Sequence, residues 1–311
     1  MTKLIDEEIK PKISIVIPTK NRANKIKLLL RELLKQSIIP NEIIVVDDSN
    51  NFETRYVIES LRHAFSKRNI KLFYTRDSNS AARARLIGGL MAQGDVIIYV
   101  DDDLYLQYYT LERLLTILIK TKAIATWGRI NFPDTKFTKR GNLFLLLSKL
   151  FGIIIFGCPT IGGGLFAVRK EALKNVRFDW NLPGFSLFED QDFSCGLIRY
   201  YGYKNVVYLD KPVLAVNRGI LIKNLNFFLH VFGNSFYLCY KWRGIYGLIT
   251  FTFFSPFLCS FYIITKGGVR GILSVKVLKI LKCYLYIFKN LRSVISGDLK
   301  RLYALYKNKK V

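Results

Sequence analysis

The strongest chemical signal is three adjacent carboxylates, Asp101, Asp102 and Asp103, in the stretch VIIYVDDDLYL. They repel one another, and no Lys or Arg lies within five positions on either side. A second acid pair, Asp47 and Asp48, closes EIIVVDDSN. Carboxylates spaced i and i+2 at a strand end can turn into one cleft and hold a hard divalent cation such as Mg²⁺ or Mn²⁺. A cation so held relieves the repulsion and keeps positions for phosphate oxygens. Without one, the acids are a solvated loop closing a strand. A third group, Glu189, Asp190 and Asp192 in FEDQDF, suits either a helix N-terminus or a general base, and the spacing leaves both open. Arg83 and Arg85 open the helix before the Asp triple, where a phosphate is well received. The run Gly162-Gly163-Gly164 is not a dinucleotide fingerprint. It suits a close backbone approach to a ligand or a tight turn.

These residues need elements to hold them. From residue 13 to about 130 short apolar runs alternate with amphipathic ones: KISIVIP, EIIVVD, KLFYT, DVIIYV and AIATWGRI against KIKLLLRELLKQ, YVIESLRHAF, AARARLIGGLMAQ and LERLLTILIK. That pattern predicts buried parallel strands with helices on both faces. Both Asp clusters then fall on the carboxyl edge of the sheet, where open α/β sheets bind ligands. FEDQDFSCGLIRYYGYK predicts a helix ended by Gly202, with a strand after it.

The chain of 311 residues carries a net charge of +25, which implies an anionic partner: nucleic acid, lipid headgroups or a phosphorylated substrate. From Lys241 onward fourteen Lys and Arg face one acid, Asp298. Within this tail, residues 245–265 are uncharged, flanked by Arg243 and Lys266. The run is long enough to cross a bilayer, yet a single span would send one basic flank outside. A re-entrant, hairpin or interfacial arrangement keeps both flanks on the cytoplasmic side. VKVLKILKCYLYIFKNL sets Lys276, Lys279, Lys282 and Lys289 among apolar residues at helical spacing, as in a helix lying on an anionic leaflet. The apolar LFLLLSKLFGIIIFG, residues 143–157, is either a second membrane-facing surface or a buried helix. The five scattered cysteines predict reduced, buried thiols. The polar start MTKLIDEEIKPK has no signal-peptide core, so the N-terminal part is expected in the cytoplasm.

SIVIPTKNR, EIIVVDDSN, ARARLIGGLMAQGDVIIYVDDD, GGGLFAVRKEAL and FEDQDFSCGLIRYYGYK occur in the order seen in family 2 glycosyltransferases, and the chain resembles that family over residues 12–215. The resemblance implies the GT-A fold, a Rossmann-like, mostly parallel sheet flanked by helices, over residues 1–220. A basic, helical, membrane-associating region follows at 221–311. It implies a nucleotide-diphospho-sugar donor, Mn²⁺ or Mg²⁺, and inversion at the anomeric carbon. Pro18 and Thr19 then stand beside the nucleotide, Asp48 at the nucleobase with Asp47 next to it, and Arg85 near the diphosphate. Asp101 and Asp103 match the D-x-D metal motif, with Asp103 the direct ligand, and Asp102 is expected on the donor's sugar or ribose. Gly163 and Gly164 fall in the acceptor-side stretch. Glu189 and Asp190 match the E-D pair, with Asp190 as catalytic base. Two positions depart from the family pattern. Leu86 replaces the Asn that follows the matching Arg, and AVNRG, with Asn217 and Arg218, stands where many relatives carry a metal-side His.

The expected protein is an enzyme at the cytoplasmic face of the cell membrane. It passes a sugar to a lipid-linked or glycan acceptor, or alternatively to a polyprenyl phosphate itself. A non-enzymatic nucleic-acid-binding protein explains the charge but not the acid clusters, which repel phosphates.

Overall fold

A computed structural model describes residues 11–76, 79–131, 152–153, 156–159, 161–184, 186–217, 225–272 and 275–308. The chain forms two compact units: residues 1–135, 163–178 and 196–219 make the first, and 136–162, 179–195 and 220–311 the second.

The first unit is built on one eight-stranded mixed sheet of order β3-β2-β1-β4-β7-β6-β8-β5. Its strands are β1 (Ile13–Thr19), β2 (Glu42–Asp47), β3 (Lys71–Thr75), β4 (Val96–Val100), β5 (Leu104–Leu106), β6 (Ala125–Asn131), β7 (Leu165–Arg169) and β8 (Val206–Asn217). The first four are parallel, as the alternation predicts. Every residue of β2 and β4 is buried, as expected of strands covered on both faces. The helices are α1 (Ala23–Leu33), α2 (Glu53–Ser66), α3 (Ala81–Met91) and α4 (Thr110–Lys120). In α1, Ile26, Leu29, Leu30 and Leu33 are buried at i, i+3, i+4, i+7, so one stripe docks on the sheet.

Two features were not legible from the alternation. LYL, directly after the Asp triple, forms β5 and pairs antiparallel with β8. LFAVR, after the Gly run, forms β7 and pairs antiparallel with β4 and β6. Neither shows the helix–strand rhythm, because β7 enters between β4 and β6 from a distant part of the chain. An aromatic layer fixes that insertion: Phe166 stacks on Tyr99 at 4.8 Å and on Trp127 at 4.6 Å.

The sheet reverses its winding at β1, with β2 on one side and β4 on the other. The crevice at such a switch point, off the carboxyl ends, is where α/β sheets bind ligands.

The second unit is helical: α5 (Glu189–Tyr201, which ends in the first unit), α6 (Leu225–Ile272), α7 (Val275–Lys289), α8 (Leu291–Ile295) and α9 (Leu299–Asn308). α6 is not straight. Gly244 has φ +59°, and a Cβ on Gly247 would lie 2.2 Å from the carbonyl oxygen of Cys239. Eight residues along a straight helix span about 12 Å. Phe236 and Phe251, fifteen apart, meet at 4.8 Å. α6 is therefore a helical hairpin with its corner at Gly244, and α7 joins it through Tyr284, 5.6 Å from Phe232 and 5.7 Å from Phe236. Among the described residues no helix is long and apolar enough to cross a membrane. The side chains of 256–280 and most of 143–157 lie outside the described residues.

Candidate active site

The carboxyl edge of the first unit answers the electrostatic puzzle of the Asp triple. Each acid has a basic partner from far along the chain. Arg22 Nη1 donates to Asp102 Oδ1 at 2.8 Å and to Asp103 Oδ2 at 3.2 Å. Lys25 Nζ stands 3.9 Å from Asp103. Arg85, buried in the second turn of α3, donates to Asp101. The Thr19 hydroxyl, at the end of β1, donates to Asp102 Oδ2 at 2.7 Å.

Local sequence explains the placement. Asn21 adopts φ 53°, which Asn tolerates, and turns the chain after β1. Its N–H donates to Ser49 Oγ and its side-chain oxygen accepts from Asn50 N, which ties this turn to the loop after β2. Arg22 then starts α1 facing the end of β4. Ser80 caps α3, accepting from Arg83 N. α3 lies close on the sheet because Gly88 has no side chain: a Cβ there would stand 2.3 Å from Val16 Cγ1. That close approach sets Arg85, one turn earlier, over the end of β4.

Burial is the main influence on Asp102 and Asp103 and pushes both carboxyls above the usual range. Arg22 and Thr19 oppose it at Asp102, while neighbouring Asp101 adds to it at Asp103. Gly164 accepts from Asp101 N through its carbonyl at 2.8 Å. A Cβ on Gly164 would lie 1.7 Å from Asp101 Oδ2, so only Gly fits against this carboxylate. Gly163 has φ +136°.

Asp47 and Asp48 differ. Asp47 is fully buried and accepts from Ser49 N at 2.9 Å, from the Ser49 hydroxyl, and from the Tyr74 hydroxyl at 2.9 Å. Asp48 lies nearer the surface and meets Lys20 at 2.6 Å. Pro18 lies two residues beyond Val16, the last β1 residue paired with β4, at a strand end where a missing N–H is tolerated.

In the second unit, Glu189, Asp190 and Asp192 occupy the first turn of α5. Glu189 and Asp192 are buried, and Asp190 is half-buried. Asp190 Oδ1 accepts from Gln191 N at 2.8 Å. A Cβ on Gly162 would come within 3.3 Å of Asp190 Oδ2, and Ile161 N donates to Ser194 Oγ at 2.9 Å. The stretch before the Gly run thus lies along the start of α5.

Among the described residues no group of three or more His, Cys, Asp or Glu converges on a metal position. Asp101 and Asp103 are two hard oxygen donors on one strand end. That donor set fits Mg²⁺ or Mn²⁺, which keep waters and take further oxygens from substrate phosphates. Asn217 ends β8, with its side chain outside the described part, as is Arg218.

A family model for glycosyl transferase family 2 matches residues 14–177, more than half of the chain. The chain belongs to glycosyl transferase family 2. The chain is 31% identical over 174 residues to an uncharacterized glycosyltransferase of Haemophilus influenzae, covering 54% of this chain and 66% of that protein. It is 28% identical over 183 residues to the GalNAc(5)-diNAcBac-PP-undecaprenol beta-1,3-glucosyltransferase of Campylobacter jejuni, covering 56% of this chain and 57% of that one. The matches thus span just under two thirds of the first relative and less of the second. Among solved structures, the mannosyltransferase PcManGT of Pyrobaculum calidifontis, in complex with GDP-Man and Mn²⁺, superposes with TM-score 0.55 at 16% identity, covering 96% of this chain and 87% of that one. TarS 1–349 of S. aureus in complex with UDP gives 0.52 at 16%, covering 96% and 92%. These likenesses place the transferase in the GT-A fold.

The sheet edge unites Thr19, Arg85 and the Asp triple, all singled out from sequence. Arg22 and Lys25 were not. Their signal was weak: Arg22 sits inside the quoted SIVIPTKNR, but nothing local links it to acids eighty positions away.

Proposed function

We propose that this transferase moves a sugar, with inversion, from a nucleotide-diphospho-sugar donor to a lipid-linked glycan acceptor at a membrane surface. One observation carries the reading: the Asp101–Asp103 carboxylates stand at the switch point of the sheet beside Arg85 and Arg22. Those two guanidiniums can turn from carboxylate to diphosphate oxygens as the donor arrives. Asp101 and Asp103 would hold a divalent ion, Mn²⁺ or Mg²⁺, which when bound would offset charge on the leaving diphosphate. Asp48 reads the base, with Asp47 and Tyr74 bracing its loop, and Asp102, anchored by Thr19, faces the donor's sugar or ribose. Asp190 takes the proton of the attacking acceptor hydroxyl, and Glu189 supports it. A single displacement needs no covalent enzyme intermediate.

The Campylobacter relative's name, with its undecaprenol-linked acceptor, supports the lipid-linked class. The surface supports it too. On the second arm of α6, Ile245, Tyr246, Ile249 and Phe253 are exposed at 68%, 81%, 49% and 78%. On α7, Leu281, Leu285 and Phe288 are exposed beside Lys282 and Lys289. An apolar face fringed by lysines suits an anionic leaflet at its cytoplasmic side.

The test is hydrolysis of a nucleotide-sugar panel with Mn²⁺ or Mg²⁺, comparing wild type with Asp103→Ala. Metal-dependent turnover surviving the substitution would refute the site. Flotation with anionic and neutral vesicles tests the membrane face; equal flotation of wild type and a Tyr246→Glu/Phe253→Glu double variant would refute that part.

A further inference from the structure

The chain entering α5 is strained. Ser186 has φ 48° and Phe188 φ 73°, left-handed conformations that a bulky side chain rarely adopts. Such strain persists only where surrounding structure over-determines it. Here it is the approach to the Glu189–Asp190 pair: Glu189 N donates to Ser186 O at 2.9 Å and Asp192 N to Phe188 O at 2.8 Å.

One face of the first arm of α6 grips this segment at several points. Asn234, Tyr237 and Lys241 lie at i, i+3 and i+7, so they share that face. Asn234 Nδ2 donates to Leu187 O at 3.0 Å, and its own oxygen accepts from the Tyr303 hydroxyl at 2.8 Å, which fixes the amide's orientation. The Tyr237 hydroxyl donates to Asp179 Oδ2 at 2.7 Å. Lys241 Nζ donates to both Asp179 and Asp192 at 2.8 Å, and Trp242 Nε1 donates to Asp192 Oδ1 at 2.6 Å. Asp192 is 2% exposed, and burial pushes its carboxyl up despite these partners. At Asp179 the charge and N–H of Lys241 outweigh burial and hold the carboxyl below its usual range. Burial alone would lower the Lys241 pKa, but the two carboxylates raise it, so the ammonium stays charged. One cation, its side chain 28% exposed, thus serves the buried Asp192 and the half-buried Asp179 beside the strained entry to α5. The proposed transfer chemistry assigns none of these charges a part.

We infer that Lys241, assisted by Trp242 and Asn234, is a positioning residue that holds the strained turn 186–192 and so sets the carboxylate of Asp190. This rests on the reading of Asp190 as the base. The geometry requires nothing of Lys241 in donor binding, so its loss should act on turnover and not on donor affinity.

The experiment uses the full chain and whichever of UDP-glucose, UDP-N-acetylglucosamine, UDP-galactose and GDP-mannose the wild type hydrolyses with Mn²⁺. Lys241→Met, Lys241→Arg, Trp242→Phe and Asp190→Asn are compared for kcat, KM and amide exchange. Misplacing a catalytic group by about 1 Å lowers rate by about 10²-fold. The expected result is therefore a 10- to 100-fold fall in kcat for Lys241→Met (about one to two decades), with KM unchanged. Amides of 187–192 should lose protection while those of the sheet keep theirs. Lys241→Arg should recover most of the rate. Trp242→Phe, which keeps the ion pair and tests the same bracket if Lys241→Met does not fold, should show a smaller fall in the same direction. An inactive Asp190→Asn with near-wild-type kcat in Lys241→Met and Trp242→Phe overturns the positioning role alone. A fully active Asp190→Asn overturns the base reading, and the inference with it. A fall in donor affinity matching the fall in kcat also overturns it, because the defect would then be global.

Discussion

The chain has two clusters of paired acids, and they are built differently. At the sheet edge, Asp101, Asp102 and Asp103 share Arg22, Lys25 and Arg85, and the side chain of Asp101 remains 31% exposed. In the helical unit, Asp179 and Asp192 share Lys241, whose side chain is 28% exposed, while the two carboxylates are 9% and 1% exposed. On the proposed reading the first set of ion pairs, open at Asp101, exchanges partners when a cation and diphosphate arrive, and the second, with its carboxylates shielded, serves geometry. The number of acids says little; the exposure of the carboxylates separates the two clusters.

The largest effect expected is on turnover. Asp103→Ala should lower nucleotide-sugar hydrolysis by about 10²–10³-fold, with the melting temperature little changed. A comparable loss of stability would break the comparison by making the edge cluster structural. In the helical cluster, Lys241→Met should cost about 1.5–3 kcal/mol of stability, because two carboxylates lose their cation while Asp192 keeps Trp242 and Asp179 keeps the Tyr237 hydroxyl; urea unfolding reads this as a lower midpoint. Arg22→Met should cost less, about 0.5–1.5 kcal/mol, since Asp102 keeps the Thr19 hydroxyl and Asp103 keeps Lys25. Equal losses for Arg22→Met and Lys241→Met would erase the distinction between the clusters. Lys20→Ala, at an ion pair whose Lys is 49% exposed, should change stability by no more than about 1 kcal/mol. A further test is a pH dependence. Burial and the bond to Asp47 push the Tyr74 hydroxyl up from 10 to about 12. Its contribution is present below pH 10 and is lost as pH rises through about 12. Tyr74→Phe should flatten that part of the stability profile, measured by chemical denaturation at pH 9 to 12.

The parallel half of the sheet could be read from the chain because each strand there is an apolar run bounded by an amphipathic helix. EIIVVD and VIIYV carry their own boundaries. LFAVR does not: its place between β4 and β6 depends on Phe166 meeting Tyr99 and Trp127, residues 67 and 39 positions away (166 against 99 and 127). The Asp triple announced itself by repulsion, but its neutralising partners could not be read, since Arg22 and Arg85 reach it only through the fold. Asp192 presented itself as a cap for α5. Its bond to Lys241 was invisible because the lysine sits among apolar residues in a tail read mainly for its charge. The uncharged run 245–265 suggested one long segment, whereas Gly244, a single residue before it, turns α6 back on itself.

That corner at Gly244 has a practical consequence for obtaining soluble protein. The arm beyond it bears the exposed apolar face, so shortening the chain there is the obvious remedy for poor solubility. Removing it strips Phe251 from Phe236 and bares the very arm that carries Asn234, Tyr237 and Lys241. Better behaviour in solution should come from polar replacements at Tyr246 and Phe253, whose side chains point outward, with the hairpin left whole.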